Sequence, residues 1–389
     1  MNAAQLIDIY RNGLLQDVLP FWLENSVDSQ FGGFITSLDQ AGKIIDTDKS
    51  VWQQGRFTWL LGKLYNTIDS NQRWLDAALH GLKFIQSHCF DKSDGRMWFL
   101  VSRDGQPIRK RRYSYSESFA AIAVGELARA TNDEQLKTQA ALLFEQFLNE
   151  SHRPSSPSKF TEHRTSQSIG IPMIAIGTAQ QLRESIDLPN ANRIIDEQLD
   201  VLRRFVKPEI KCVMECIDSN NEFVDHFDGR TLNPGHAIEA AWFVMMEGKF
   251  RNDDSLIELG CNMLDWMWDR GWDSEFGGML YFVDVNGLPV SEYWHDMKFW
   301  WPHNETIIAS LLAWLLTGNT KYQQMHQTVH RWAYDHFPDT THGEWFGYLR
   351  RDGAISTTLK GNHWKGPFHL PRMQMTCWQL LEELKRTID

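Results

Sequence analysis

The chain has 389 residues, 42% of them apolar and 23% charged, the make-up of a globular protein with a large core rather than a disordered or fibrous one. Its 39 basic and 50 acidic residues leave a net charge of −11, with a single basic run at 109–112, so neither a nucleic-acid partner nor an anionic membrane surface is expected. The five cysteines (Cys89, Cys212, Cys216, Cys261, Cys377) show no Cys-x-x-Cys pair and no zinc spacing, so a reduced, cytoplasmic compartment and no metal are expected.

Residues 1–23 form an amphipathic pattern broken by Asp8, Arg11 and Asp17, which reads as neither a signal peptide nor a membrane span. One motif then recurs: an Asp, a Gly four residues later, an aromatic strand-like run, an Asp/Gly turn, and a helix with a polar opening. Its copies start at Asp28, Asp91, Asp273 and Asp339, a period of about 65 residues. The gap between Asp91 and Asp273 holds two more. One is degenerate, a Pro/Ser-rich loop at 151–161 leading to Arg164; the other runs through 211–221 into Asn233-Pro234-Gly235-His236.

Between these motifs lie two kinds of helical pattern. Residues 74–88, 134–149, 190–205, 255–269 and 323–336 are apolar on one face only, whereas 237–246 and 306–316 are apolar nearly all round. Outer helices alternating with interior ones predict an all-α, (α/α)6 barrel spanning 1–389 as one domain, with short β-hairpins at the end where the inner helices open. His80, His88, His326, His330 and His336 fall on outer patterns, where solvated surface roles are expected.

The polar openings of the inner helices then converge on one funnel: Gln53 and Arg56, Tyr113 and Glu117, Arg164, His236 and Glu239, His303 and Glu305, His369 and Arg372. His236 and Glu239 share a helical face, and Pro234 and Gly235 leave the amides of that first turn free. Two histidines from different walls suit removal of a proton from one face of a carbon and delivery to the other, with Arg56 and Arg372 stabilising the oxyanion formed between these steps. The plainer reading of the arginines is an ion pair with Glu239 or Glu305.

Four blocks carry a resemblance: Val51-Trp52-Gln53-Gln54-Gly55-Arg56, Asn233-Pro234-Gly235-His236 with Glu239, Trp300-Trp301-Pro302-His303 with Glu305, and Gly366-Pro367-Phe368-His369 with Pro371-Arg372. In order and spanning nearly the whole chain, they resemble the N-acylglucosamine 2-epimerase family. The resemblance implies interconversion of N-acetyl-D-glucosamine and N-acetyl-D-mannosamine in the service of sialic acid synthesis, by deprotonation and reprotonation at C2 of the open-chain sugar. It implies His236 and His369 as the acid/base pair, and Arg56, Tyr113, Glu239, Trp301, His303, Glu305 and Arg372 as substrate-binding residues. ATP is implied as an activator that is not consumed, with Lys159 in the loop 151–160 as its candidate contact, and so is a homodimer. Cellobiose or mannose 2-epimerases and aldose–ketose isomerases share the barrel and the two histidines. A glycoside hydrolase would instead need a carboxylate pair drawn from Glu117, Glu239 and Glu305, and a non-catalytic sugar-binding protein is the third reading.

Overall fold

The computed structural model describes residues 2–110, 114–151 and 165–388. Its helices are α1 (Ala3–Asn12), α2 (Leu19–Asn25), α3 (Val51–Thr67), α4 (Gln72–His88), α5 (Tyr115–Thr131), α6 (Glu134–Ser151), α7 (Gly170–Ile186), α8 (Ala191–Arg203), α9 (Phe227–Arg230), α10 (Pro234–Arg251), α11 (Asp254–Gly271), α12 (Trp300–Thr317), α13 (Thr320–His336) and α14 (His369–Ile388). The π-helical segment Gly13–Val18 joins α1 to α2. Helices α3, α5, α7, α10, α12 and α14 form the inner ring, each packed on an outer helix: α4, α6, α8, α11, α13 and, for the last, α1. The ring closes where Gln379 on α14 donates to Thr67 on α3 at 3.2 Å and Phe368 packs edge-on against Trp59. The expected (α/α)6 barrel is therefore present, with the N-terminal helices completing the outer layer.

Burial explains which helix goes where. Every residue of α3 from Val51 to Leu64 is buried, whereas α4 buries one stripe, including Trp74, Leu75, Ala78, Leu82 and Ile85, and exposes the rest. The turns from inner to outer helices are tight because Asn132, Asp187, Asn252 and Gly318 end α5, α7, α10 and α12 in the left-handed conformation, which Asn, Asp and Gly adopt at least cost.

The recurring Asp is a structural clamp. Asp28, Asp273 and Asp339 each cap the turn that follows through its backbone amides and each receive a buried lysine: Lys49 at 2.9 Å, Lys298 at 2.9 Å and Lys360 at 3.0 Å. The same ammonium groups donate to the carbonyls of Gly32, Gly278 and Gly343. Burial opposes these charges, but arginine and lysine partners outweigh it and hold Asp28 and Asp273 well below the usual carboxylate range.

The expected hairpins are smaller than the sequence pattern implies. Only the second module keeps a hairpin of four-residue strands, Trp98–Val101 with Pro107–Lys110, among the described residues; elsewhere pairing within modules shrinks to bridges such as Val27 with Phe34 and Trp272 with Met279. Two-residue pairing also runs between successive modules, as in Lys49–Ser50 with Trp98–Val101 and Lys298–Phe299 with Tyr348–Leu349. A second expectation is corrected at His326 and His330, which are only 1% and 2% exposed. Helix α1 packs on α14 and reaches α13 through Tyr10, whose hydroxyl bonds both rings at 3.2 and 2.9 Å; burial lowers their pKa values to about 4 and about 3.

Candidate active site

At the hairpin end the inner helices open on a cavity of about 1160 Å³. Its mouth is ringed by aromatic side chains, among them Trp52, Tyr281, Trp294, Trp301, Tyr348 and Trp364. His236, Glu239, Arg56, Trp301, His369 and Arg372, all expected from sequence, stand together on its walls.

Asn233 caps α10 by accepting the backbone N–H of His236 at 3.2 Å, and Pro234 sets the first turn. This places the His236 ring at the mouth, a third exposed, against the indole of Trp301 at 5.1 Å. Its Nδ1 lies 3.1 Å from both carboxylate oxygens of Glu215, which leaves Nε2 for the cavity. Burial alone would lower its pKa, but the Glu215 charge overrides this and raises it above the usual histidine value.

His369 opens α14 and rests on the other side of the site, 5.6 Å from the same indole. Its Nδ1 is 2.7 Å from Glu305 Oε1, while Arg372, one turn later, bonds that oxygen at 2.6 Å and Glu239 Oε1 at 2.5 Å. Glu305 Oε2 accepts the indole N–H of Trp242 at 2.8 Å. Burial and the Arg372 charge push the pKa of His369 well below the ordinary value, so the ring is neutral. With the proton on Nδ1 facing Glu305, Nε2 is a free base. The two histidines are thus driven in opposite directions by their surroundings, an arrangement suited to one acid and one base.

The two arginines differ. Arg372 adopts the ion pair with both Glu239 and Glu305. Arg56 has no ion pair among the described residues and its Nε meets no acceptor; Phe119 at 4.2 Å, Phe368 at 4.7 Å and Trp52 at 5.5 Å hold the guanidinium by its faces. Burial pushes its pKa down to about 9, which leaves it cationic at neutral pH. Among the described residues Arg56 is a buried positive charge that no carboxylate pairs directly, in the field of Glu239 and Glu305 and near His369.

Two assignments need correction. His303 is fully buried and faces away from the cavity: Nε2 accepts the backbone N–H of Met279 at 2.9 Å and Nδ1 donates to the Phe299 carbonyl at 2.6 Å. Burial lowers its pKa to about 3. Gln54 and Glu117 do the same for the hairpin amides of Phe34 and Met97, so all three are pegs that fix a hairpin on an inner helix. Glu305 stands behind His369 and Arg372 rather than on the wall that substrate would touch. Tyr113, Arg164 and Lys159 lie outside the described residues. Glu215 is not legible from sequence, because it precedes His236 in the same fourth motif at no spacing that a helix or strand would fix; its only signal is a carboxylate in that motif.

With Glu117 tied to Arg96 and the Met97 amide, and Glu305 tied to three donors, no free carboxylate pair exists here among the described residues for a hydrolase. Glu239, Glu305 and His369 bring ligand atoms within 4.8 Å of one another, but the Arg372 guanidinium already bridges the two carboxylates where a cation would sit.

The family model described as N-acylglucosamine 2-epimerase (GlcNAc 2-epimerase) matches residues 33–369. The chain is 32% identical to the N-acylglucosamine 2-epimerase of Bos taurus, covering 95% of this chain and 90% of that protein. It is 31% identical to the Homo sapiens protein of the same name, over 95% and 89%. Among solved structures, cellobiose 2-epimerase from Bacillus thermoamylovorans superposes with a TM-score of 0.83 at 19% identity, over 98% of this chain and 100% of that one, a likeness of fold.

Proposed function

The chain belongs to the N-acylglucosamine 2-epimerase family, and we propose that it interconverts N-acetyl-D-glucosamine and N-acetyl-D-mannosamine by moving a proton between two histidines across C2. The observation that carries the mechanism is the opposed pair: His369 on Glu305, its pKa pushed down by burial and Arg372, and His236 on Glu215, its pKa raised against burial by that carboxylate.

In the open-chain sugar, C2 lies beside the C1 aldehyde. Nε2 of His369 takes the C2 proton, the C2–H bonding electrons form the C1–C2 double bond, and the carbonyl electrons move onto O1. The guanidinium of Arg56 stabilises this oxyanion, since no carboxylate among the described residues pairs with it first. Nε2–H of His236 then delivers its proton to the opposite face of C2 as the carbonyl re-forms. The histidines exchange protonation states in each turnover, and the reverse reaction runs the same steps backwards. A pair carrying one proton is therefore active in both directions. Aromatic walls and the Arg372–Glu239 pair hold the sugar and the imidazoles in place.

The test is to incubate the protein with N-acetylmannosamine in D2O and examine C2 of the product. N-acetylglucosamine carrying deuterium at C2 is expected; release of a smaller sugar from a glycoside, with no C2 exchange, would instead favour hydrolysis.

A further inference from the structure

Trp301 and Gly235 stand at the second positions of the neighbouring inner helices α12 and α10. The backbone of Gly235 does not call for glycine, because its φ lies outside the left-handed region. Space does: a Cβ there would lie 2.6 Å from Cη2 and Cζ3 of the Trp301 indole and 3.0 Å from Cβ of Pro302. On its other sides the indole meets Tyr281 edge-on at 6.0 Å and both active-site imidazoles, His236 at 5.1 Å and His369 at 5.6 Å, inclined to it by 34° and 39°. Only 8% of Trp301 is exposed, so most of the ring is covered by these neighbours and little of it is left for a sugar.

We propose that Trp301 is a positioning residue for the two-base transfer: wedged over Gly235, its indole sets the separation of the His236 and His369 rings. The inference rests on the epimerase reading above. Each imidazole is tied at Nδ1 to a carboxylate, His236 to Glu215 and His369 to Glu305, and a bond at one end of a ring leaves the other end free to swing. Transfer across one planar carbon needs both Nε2 atoms within about 3–3.5 Å of C2, on opposite faces. If the delivering ring drifts outward, the intermediate lives long enough for the abstracting base to exchange with solvent and return a deuteron to its own face. The indole packed against both rings blocks that swing, and the bare Cα of Gly235 lets the indole stand close enough to do so.

The experiment uses the full chain and N-acetylmannosamine in D2O, and measures the initial rates of epimerisation and of deuterium entry at C2 of the recovered substrate. Trp301→Leu takes away the common support of the two rings. A misplacement of about 1 Å can cost about 100-fold in rate, so epimerisation is expected to fall by about that factor while one-sided exchange persists, raising the ratio of exchange to epimerisation by at least about tenfold. Gly235→Ala pushes the indole and is expected to raise the same ratio by at least about threefold. Added to Trp301→Leu, it should change the ratio by less than about twofold, since the atoms its Cβ would meet are gone. Equal loss of exchange and epimerisation in Trp301→Leu, or a rise in KM alone, overturns the proposal and makes the indole a sugar contact. An equal effect of Gly235→Ala in both backgrounds also overturns it. Should Trp301→Leu fail to fold by circular dichroism, Trp301→Phe, with a smaller ring in the same place, takes its part and is expected to shift the ratio by at least about threefold in the same direction. A wild-type enzyme that neither epimerises nor exchanges label would count instead against the epimerase reading itself.

Discussion

Glu305 Oε1 sits 2.7 Å from Nδ1 of His369 and 2.6 Å from Nη2 of Arg372, so one fully buried oxygen orients the base and anchors the cation beside it. Glu305→Gln keeps the shape but removes the charge that fixes the His369 tautomer, and an amide can turn its NH2 toward Nδ1. Turnover is expected to fall by at least about 100-fold, with a smaller change in KM, because orientation of the base matters most in the transition state. Steady-state kinetics on a variant with a wild-type circular dichroism spectrum checks this; an equal loss in binding and turnover would show that Glu305 holds substrate instead.

Glu215 raises the pKa of His236, while burial and Arg372 lower that of His369. The singly protonated pair is the active form, so kcat/KM should rise as His369 loses its proton and fall at higher pH as His236 loses its own. Removing the Glu215 charge leaves burial on His236 opposed only by the weaker pull of Glu239 and Glu305. Glu215→Gln is therefore expected to move the alkaline limb to lower pH and leave the acid limb in place. A uniform drop at every pH, with both limbs fixed, would reduce Glu215 to a structural support.

His303 illustrates where sequence reasoning misassigns a residue. Its block, Trp300-Trp301-Pro302-His303, opens an inner helix as those of His236 and His369 do, and spacing alone does not reveal which way a helical side chain turns. The alternation of one-sided and all-round apolar helices made the barrel legible, because burial leaves a periodic trace in composition. Asn233, Pro234 and the capped turn likewise announced His236. What left no trace was side-chain pairing at no fixed spacing: Glu215 with His236 within one module, Glu305 with His369 across two neighbouring inner helices, and Tyr10 with His326 and His330 from opposite ends of the chain are brought together only by the folded arrangement.

The peg role of His303 makes a separate prediction. His303→Gln supplies an amide oxygen for the Met279 N–H, as Gln54 does for Phe34, and is expected to keep near-wild-type kinetics. His303→Ala leaves that buried amide and the Phe299 carbonyl without partners, at a cost of about 1–3 kcal/mol for each unsatisfied group. Thermal unfolding should show a clearly lower Tm for Ala than for Gln. Loss of activity in a stable Gln variant would return His303 to the list of substrate contacts.

Isotope transfer tests the division of labour between His236 and His369. If a single base served both faces, the abstracted proton would often return to the product, and N-acetylglucosamine formed in D2O would retain protium at C2. With two bases, the proton removed from N-acetylmannosamine stays on one imidazole while the other, already exchanged with solvent, delivers a deuteron. Product from the first turnover should be almost fully labelled at C2, with little label in the remaining substrate at early times. Single variants then separate the halves. His236→Asn and His369→Asn should each lower epimerisation by at least about 100-fold, the lower range for loss of a general acid or base. Each surviving histidine can still abstract from its own face and return a deuteron there, so each variant should exchange label into one epimer only, and the two variants into opposite epimers. Equal loss of exchange into both epimers, in both variants, would point to a shared or water-borne base and remove the basis for assigning one face to each histidine.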